Sequence, residues 1–172
     1  MINYELKKIK AIVLDVDGVL SRTTIGMDKE GEPSRTVNTK DGYALQYAVK
    51  QGLKIAIITG ARTPAIKMRY NRLGINDVFI GAQTKIEIFN KWCLDNKLQH
   101  DEIIYMGDDI PDYEIMNIVG CPCCPSDAVN EIKEISLYIS HAAGGEGCVR
   151  DVVETVMRAQ GKWMNDKKAF GW

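Results

Sequence analysis

No sign of charge dominates this sequence: 22 lysines and arginines stand against 23 aspartates and glutamates, for a formal net charge of −1. Binding a nucleic-acid backbone draws on a basic face, so nucleic acid is excluded as the main partner. No apolar run approaches the roughly 20 residues of a membrane span. Met1–Lys10 carries three lysines, but the apolar stretch Ala11–Leu14 meets Asp15 too soon to form a signal-type segment with a small-residue cleavage site. Cysteine is present as an odd five: Cys93, Cys121, Cys123, Cys124 and Cys148. Without a signal segment these are expected to be reduced thiols in a cytoplasmic protein. No second zinc half-site follows Cys121-Pro122-Cys123-Cys124, so the run reads as a thiol-rich strand end. Internal repeats and low-complexity tracts are missing too.

What is present is an ordinary globular composition, 45% hydrophobic and 26% charged over 172 residues. That length suits one domain with its own apolar core. Short Ile- and Val-rich runs at Ile9–Val16, Leu53–Thr59, Val78–Ile80 and Ile103–Gly107 alternate with helical patterns at Tyr43–Gln51, Pro64–Leu73, Ile86–Asn96 and Pro111–Ile118. Continuous apolarity predicts strands covered on both faces, as in a parallel sheet. Alternation of strand and helix predicts an α/β doubly wound fold. A late strand near Leu137–Ser140 and a helix near Gly147–Ala159 complete a domain over residues 1–160. Thr63-Pro64 reads as a helix start with a capping hydroxyl. Thr24–Asn38 breaks the alternation; its turn cluster Asp28–Glu32 predicts a protruding β-hairpin. The tail Gly161–Trp172 carries two tryptophans and a phenylalanine among lysines and glycines.

The polar residues that matter sit where the predicted strands end. Asp15 and Asp17 leave the first strand two residues apart, a spacing that points both side chains the same way. Open α/β sheets bind ligands at this edge. Like charges held together require a cation or a shared proton, although an Asp-Gly turn would account for the pair alone. The second strand ends in Thr59-Gly60, a hydroxyl and a flexible backbone that suit a phosphate oxygen. Lys85 stands in the first turn of a helix, where the macrodipole disfavours a cation, so a nearby anion is expected. Asp108, Asp109 and Asp112 follow the strand Ile103–Gly107. One can cap the next helix; three exceed what a cap requires, and hard oxygen ligands at this density suit magnesium.

Taken in order, these segments resemble the four signatures of the haloacid dehalogenase superfamily: Asp15-Val16-Asp17-Gly18-Val19, then Thr59-Gly60, Lys85, and Gly107-Asp108-Asp109 with Asp112. The resemblance implies that Asp15 is the nucleophile and Asp17 the general acid/base. Thr59 and Lys85 would hold the phosphoryl group. Asp15, the Asp17 backbone carbonyl and Asp108 would ligate Mg2+, with Asp109 and Asp112 orienting that shell. An acid two residues after the nucleophile implies phosphate chemistry instead of dehalogenation.

Neither position at which this superfamily inserts a cap domain leaves room for one: residues 18–40 accommodate the hairpin, and residues 60–84 one helix and a short strand. The capless group that the chain resembles is that of the 3-deoxy-D-manno-octulosonate 8-phosphate phosphatases. Lys40-Asp41-Gly42, Pro125-Ser126-Asp127-Ala128 and Gly144-Gly145-Glu146-Gly147-Cys148-Val149-Arg150-Asp151 add to the match. Asp151 stands where the group has glutamate, and Ala61 where it often has arginine. The resemblance implies a homotetramer in which each hairpin covers a neighbouring site, a phosphorylated sugar acid as substrate, and a C-terminal segment able to reach a neighbour. Gly60, Arg62 and Arg69 are the substrate-binding candidates. At about 100° per residue Arg62 and Arg69 nearly align on one helix, and an arginine fork matches a carboxylate. Arg72 reads equally as a solvated residue. The alternatives are a nine-carbon ulosonate 9-phosphate phosphatase, a phosphorelay receiver and a noncatalytic module on the same fold.

Overall fold

Four residues in a row with no accessible surface, Ala11, Ile12, Val13 and Leu14, form the first strand, β1 (Ala11–Leu14). The Ile12, Val13 and Leu14 side chains stabilise a fold by about 1.5–3 kcal/mol each when fully buried, which makes β1 the natural centre of the sheet. The computed structural model, which describes residues 2–171, places it there. The remaining parallel strands are β4 (Lys54–Ile58), β5 (Asp77–Phe79), β6 (Ile103–Met106), β7 (Cys121–Cys124) and β8 (Tyr138–Ile139), after the hairpin strands β2 (Gly26–Met27) and β3 (Pro33–Ser34). The sheet order is β5-β4-β1-β6-β7-β8, with every pairing parallel. The chain therefore runs outward from β1 on one side, then returns to pair β6 on the other. The crevice above β1, between β4 and β6, is the switch point at which such sheets bind ligands.

The helices are α1 (Thr39–Lys50), α2 (Pro64–Asn71), α3 (Lys85–Asn96), α4 (Tyr113–Met116), α5 (Asn130–Ile135) and α6 (Cys148–Ala159). Strand alternation divides the core in two. Ile12 and Leu14 face a cluster shared with α1, α2 and α6; Ala11 and Val13 face one shared with α3, α4 and α5. Helix α6 shows why it packs as it does: Val149, Val152, Val153, Val156 and Met157 form a buried stripe at helical spacing. The two-faced burial of the strands matches the expected doubly wound α/β architecture.

Several local expectations need correction. The predicted helix Pro111–Ile118 is a 3-10 turn, Ile110–Asp112, followed by the single short helix α4. The Asp109 side chain accepts from Ile110 N, while the Asp112 carboxylate turns back to accept from Asp108 N, which keeps this turn tight. Thr63 occupies the cap position of α2 without a side-chain cap bond; Pro64 at the first position is the stop-and-start signal that holds. The cysteine run is a whole buried strand, β7, and α5 had no clear periodicity.

The described part of the tail, Gly161–Gly171, lies on its own chain. Tyr43 Oη donates to Ala169 O at 2.5 Å and Tyr47 Oη to Lys162 O at 3.1 Å. Gln51 Nε2 donates to Asp166 Oδ2 at 2.9 Å. Trp163 meets Tyr47 edge-on and lies 4.7 Å below the Arg150 guanidinium. The tail thus covers α1 and α6 within its own subunit. Trp172, the second tryptophan of the tail, lies outside the described residues.

Candidate active site

An open cleft of about 910 Å³ lies at the carboxyl ends of β1, β4 and β6. Asp15, Asp17, Thr59, Gly60, Lys85, Asp108 and Asp109 all line it, with Arg35, Gln83, Thr84, Ile110 and Tyr113 among the others. Sequence positions spread over nearly a hundred residues converge because each follows the end of a parallel strand.

Asp15 is the first residue past β1 and continues the Ala11 and Val13 face of the strand. That is the α3/α4 side, and there it meets Lys85, whose Nζ lies 2.9 Å from Asp15 Oδ2 and 2.7 Å from Asp112 Oδ1. Tyr105, from within β6, donates its hydroxyl to the same Asp112 oxygen at 2.5 Å. Asp112 Oδ2 accepts from Asp108 N at 3.2 Å. Both oxygens of Asp112 are thereby committed. Asp15 Oδ1 is buried with no hydrogen-bond partner. Carboxylate oxygens of Asp15, Asp108 and Asp112 lie within 4.8 Å of one another.

This packing is paid for electrostatically. Burial, reinforced by the Asp112 charge and opposed by Lys85, pushes the Asp15 carboxyl up to about 7. Burial and then the charges of Asp15, Asp112 and Asp109 push Asp108 up to about 8. Burial would lower Lys85, but the Asp15 and Asp112 charges and their hydrogen bonds outweigh it, and Lys85 stays protonated with a raised pKa. The lysine predicted to need an anion has two. Asp15, Asp108 and Asp112 can all be ionised beside a single lysine only if more positive charge is supplied, and Asp15 holds an orphaned buried oxygen. A hard divalent cation fits this donor set.

Two glycines make the crowding possible. A Cβ on Gly18, which has φ +82°, would lie 1.9 Å from Asp108 Oδ2. One on Gly107 would lie 2.4 Å from Asp112 Cβ. The loop after Asp17 is also held from behind. Gly144 passes so close to Gly18 O that a Cβ there would lie 1.9 Å away, while Gly144 N donates to Asp127 Oδ1 at 2.8 Å. The Pro125–Ala128 and Gly144–Gly147 segments thus support the first signature. Asp151 is elsewhere: it accepts from Tyr138 Oη at 2.8 Å and Ser140 Oγ at 2.7 Å, tying α6 to the last strand.

Other candidates separate. Thr59 is buried, and its hydroxyl accepts from Ala61 N at 3.2 Å. Asp109 lines the cleft but is exposed and caps the 3-10 turn, outside the carboxylate cluster. Asp17 is half-exposed and bound by Arg35. Arg62 and Arg69 do not line the cleft. Arg62 precedes Pro64, the first residue of α2, so helical spacing does not relate it to Arg69. Arg69 borders a second cavity of about 130 Å³ between α2 and the hairpin, with its Nε buried and unpartnered.

Sequence reasoning missed Tyr105 and Arg35. A tyrosine inside a fully buried strand must find a partner for its hydroxyl, which was a usable signal. Arg35 had none, because its target depends on how the hairpin folds back.

No protein-family model matches the chain. It is 34% identical over 156 residues to the 3-deoxy-D-manno-octulosonate 8-phosphate phosphatase KdsC of Salmonella typhi, covering 91% of this chain and 83% of that one. A crystal structure of the phosphatase of that name from Yersinia pestis superposes with a TM-score of 0.88 at 31% identity, over 92% of this chain and 85% of the other. The Moraxella catarrhalis phosphatase, in complex with magnesium, phosphate and a KDO molecule, superposes with a TM-score of 0.90 at 29% identity, over 97% and 96%. Fold, cleft and relatives agree, and the chain belongs to the 3-deoxy-D-manno-octulosonate 8-phosphate phosphatase family of the haloacid dehalogenase superfamily.

Proposed function

We propose that this chain is a magnesium-dependent phosphatase that hydrolyses 3-deoxy-D-manno-octulosonate 8-phosphate to the free sugar acid and phosphate. The observation that carries the reading is the buried Asp15 carboxylate, with its Oδ1 unpartnered, its other oxygen on Lys85, and a carboxylate oxygen of Asp108 within 4.8 Å. Asp15 and Asp108 have oxygens to offer a cation, with the Asp17 backbone carbonyl as the third protein donor. Asp112, both oxygens engaged, orients that shell together with Lys85 and Tyr105. Bound magnesium supplies positive charge that screens the repulsion between an anionic nucleophile and an anionic phosphate.

The residues divide the chemistry. An Asp15 oxygen attacks phosphorus, and the bond from phosphorus to the sugar oxygen breaks, leaving an aspartyl-phosphate. Asp17 gives its proton to the departing sugar oxygen. Water then attacks phosphorus, Asp17 takes its proton, and the bond to Asp15 breaks. Lys85, Thr59 and the Gly60 backbone hold the phosphoryl oxygens. Asp109 caps the turn that presents Asp108 and Asp112.

The eight-carbon substrate is favoured over the nine-carbon alternative because the relatives described above carry the eight-carbon name. A receiver domain carries its phosphorylated aspartate on a central strand in place of Thr59, which disfavours that reading. We read residues 1–160 as one capless domain and the protein as a cytoplasmic homotetramer. The five cysteines are all free, in keeping with a reducing compartment. No helix among the described residues is long and apolar enough to cross a membrane. The hairpin tip stands away from its own cleft, with Met27 74% exposed, and Arg69 faces the cavity at the hairpin's base, where a neighbouring subunit's substrate carboxylate could be met.

The test is phosphate release from a panel of phosphorylated sugars and sugar acids, with magnesium and with chelator. The eight-carbon sugar acid should give the highest kcat/KM, and chelation should abolish turnover until magnesium is restored. Full activity without metal, or preference for a phosphate lacking a carboxylate, would overturn the reading.

A further inference from the structure

Arg35 enters the cleft from the return arm of the hairpin. Its Nε donates to Asp17 Oδ1 at 2.7 Å and its Nη2 to Asp17 Oδ2 at 2.8 Å, the fork-on-fork pairing of guanidinium and carboxylate. The arm is rooted on the loop that carries Asp17. Thr36 N donates to Ser21 Oγ at 3.0 Å, Arg22 N donates to Thr36 Oγ1 at 3.2 Å, and Ser21 N donates to Val16 O at 2.8 Å. The Arg35 side chain is 13% exposed and that of Asp17 39%, so the donor is the better fixed of the two. Both line the cleft.

An aspartate at the mouth of an open cleft has several staggered rotamers available. Proton transfer demands that its oxygen lie about 3 Å from the leaving atom. No other side chain among the described residues is hydrogen-bonded to the Asp17 carboxylate. We infer that Arg35 is a positioning residue for Asp17: its fork, here on both carboxylate oxygens, holds the side chain in a rotamer at the cleft, and when Asp17 is protonated one oxygen stays on the guanidinium while the other, carrying the proton, turns to the leaving oxygen of the substrate. Arg35 itself transfers no proton; the proton moves from Asp17 to the leaving oxygen. The hairpin then serves its own subunit's chemistry at its base, whatever its tip does. This inference rests on the reading of Asp17 as the general acid.

The experiment uses the full chain loaded with magnesium and measures aspartyl-phosphate formation in a single turnover. Two substrates differ in their need for an acid: p-nitrophenyl phosphate, whose leaving group departs unaided, and phenyl phosphate, whose leaving group does not. Arg35→Gln should slow the phenyl ester by about 10- to 100-fold and the p-nitrophenyl ester by no more than about 3-fold, since misplacement penalises only the assisted step. Arg35→Lys, which keeps the charge but not the fork, should recover part of the loss. The p-nitrophenyl rate doubles as a check that each variant is folded. Equal losses on both esters would overturn the inference. So would a raised KM with an unchanged first step, which would make Arg35 a substrate ligand. Asp17→Asn is run beside them. If it discriminates between the esters and Arg35→Gln does not, only the role of Arg35 falls. If Asp17→Asn does not discriminate, the reading of Asp17 falls and takes the inference with it.

Discussion

Asp15 and Asp41 are both buried aspartates, each with one oxygen that lacks a hydrogen-bond partner. Both have pKa values raised first by burial, Asp15 to about 7 and Asp41 to about 6. Their neighbours differ. Asp41, in the first turn of α1, accepts from Arg150 N at 2.6 Å at the start of α6, where the helix dipole and unpaired N–H groups favour an anion. Asp15 faces an open cleft, shares one lysine with Asp112 and adjoins Asp108. A buried carboxylate against a helix start joins two helices. A buried carboxylate among other carboxylates at a cleft is a centre waiting for a cation and a phosphate. Burial alone does not tell them apart; the sign of the surrounding charge does.

The largest expected effect breaks the comparison at Asp15. Asp15→Asn keeps the shape but removes the proposed nucleophile, so steady-state phosphate release should fall by more than about 10³-fold while far-ultraviolet circular dichroism is unchanged. Wild-type turnover in that variant would end the mechanism.

Next is Lys85→Met, which removes the cation shared by Asp15 and Asp112. Turnover should fall by about 10²- to 10³-fold, because a preorganised charge on the phosphoryl oxygens is gone. Leaving buried carboxylates uncompensated should cost the metal-free fold about 3–5 kcal/mol in denaturant melts. Magnesium should restore more of this in the variant than it adds to wild type. Equal metal effects in the two proteins would show that the cation does not meet these carboxylates.

The smallest effect sharpens the contrast at Asp41. A carboxyl whose pKa is raised in the fold holds its proton there while the unfolded chain has lost it. Its contribution to stability is therefore full below about 4 and is lost as pH rises through about 6. Asp41→Asn should remove this slope, so that wild type loses about 2 kcal/mol relative to the variant between those pH values. Magnesium-dependent kcat should change little. A collapse of kcat at unchanged stability would move Asp41 from the helix junction into the chemistry.

Much of the site was legible because catalytic residues in a parallel α/β fold sit just past strand ends, and apolar runs reveal where strands end. Asp15, Thr59, Lys85 and Asp108 were found that way and do line one cleft. The helical alignment expected of Arg62 and Arg69 does not hold, because Pro64, two residues on, starts the helix after Arg62. The tail is fastened to its own chain by Tyr43, Tyr47 and Gln51, whose partners lie more than a hundred residues away, which no local pattern could reveal.

Local order alone determined the strand-helix alternation, the absence of a cap, and the four polar clusters in sequence, since each depends on periodicity or spacing within a few residues. The tertiary structure alone decided which carboxylate takes which partner: Lys85 on Asp15 and Asp112, Tyr105 beneath Asp112, Arg35 on Asp17. Such pairings act over 3 Å between residues distant in sequence. They exist only after the sheet has ordered its strands and the hairpin has folded back onto the loop after β1.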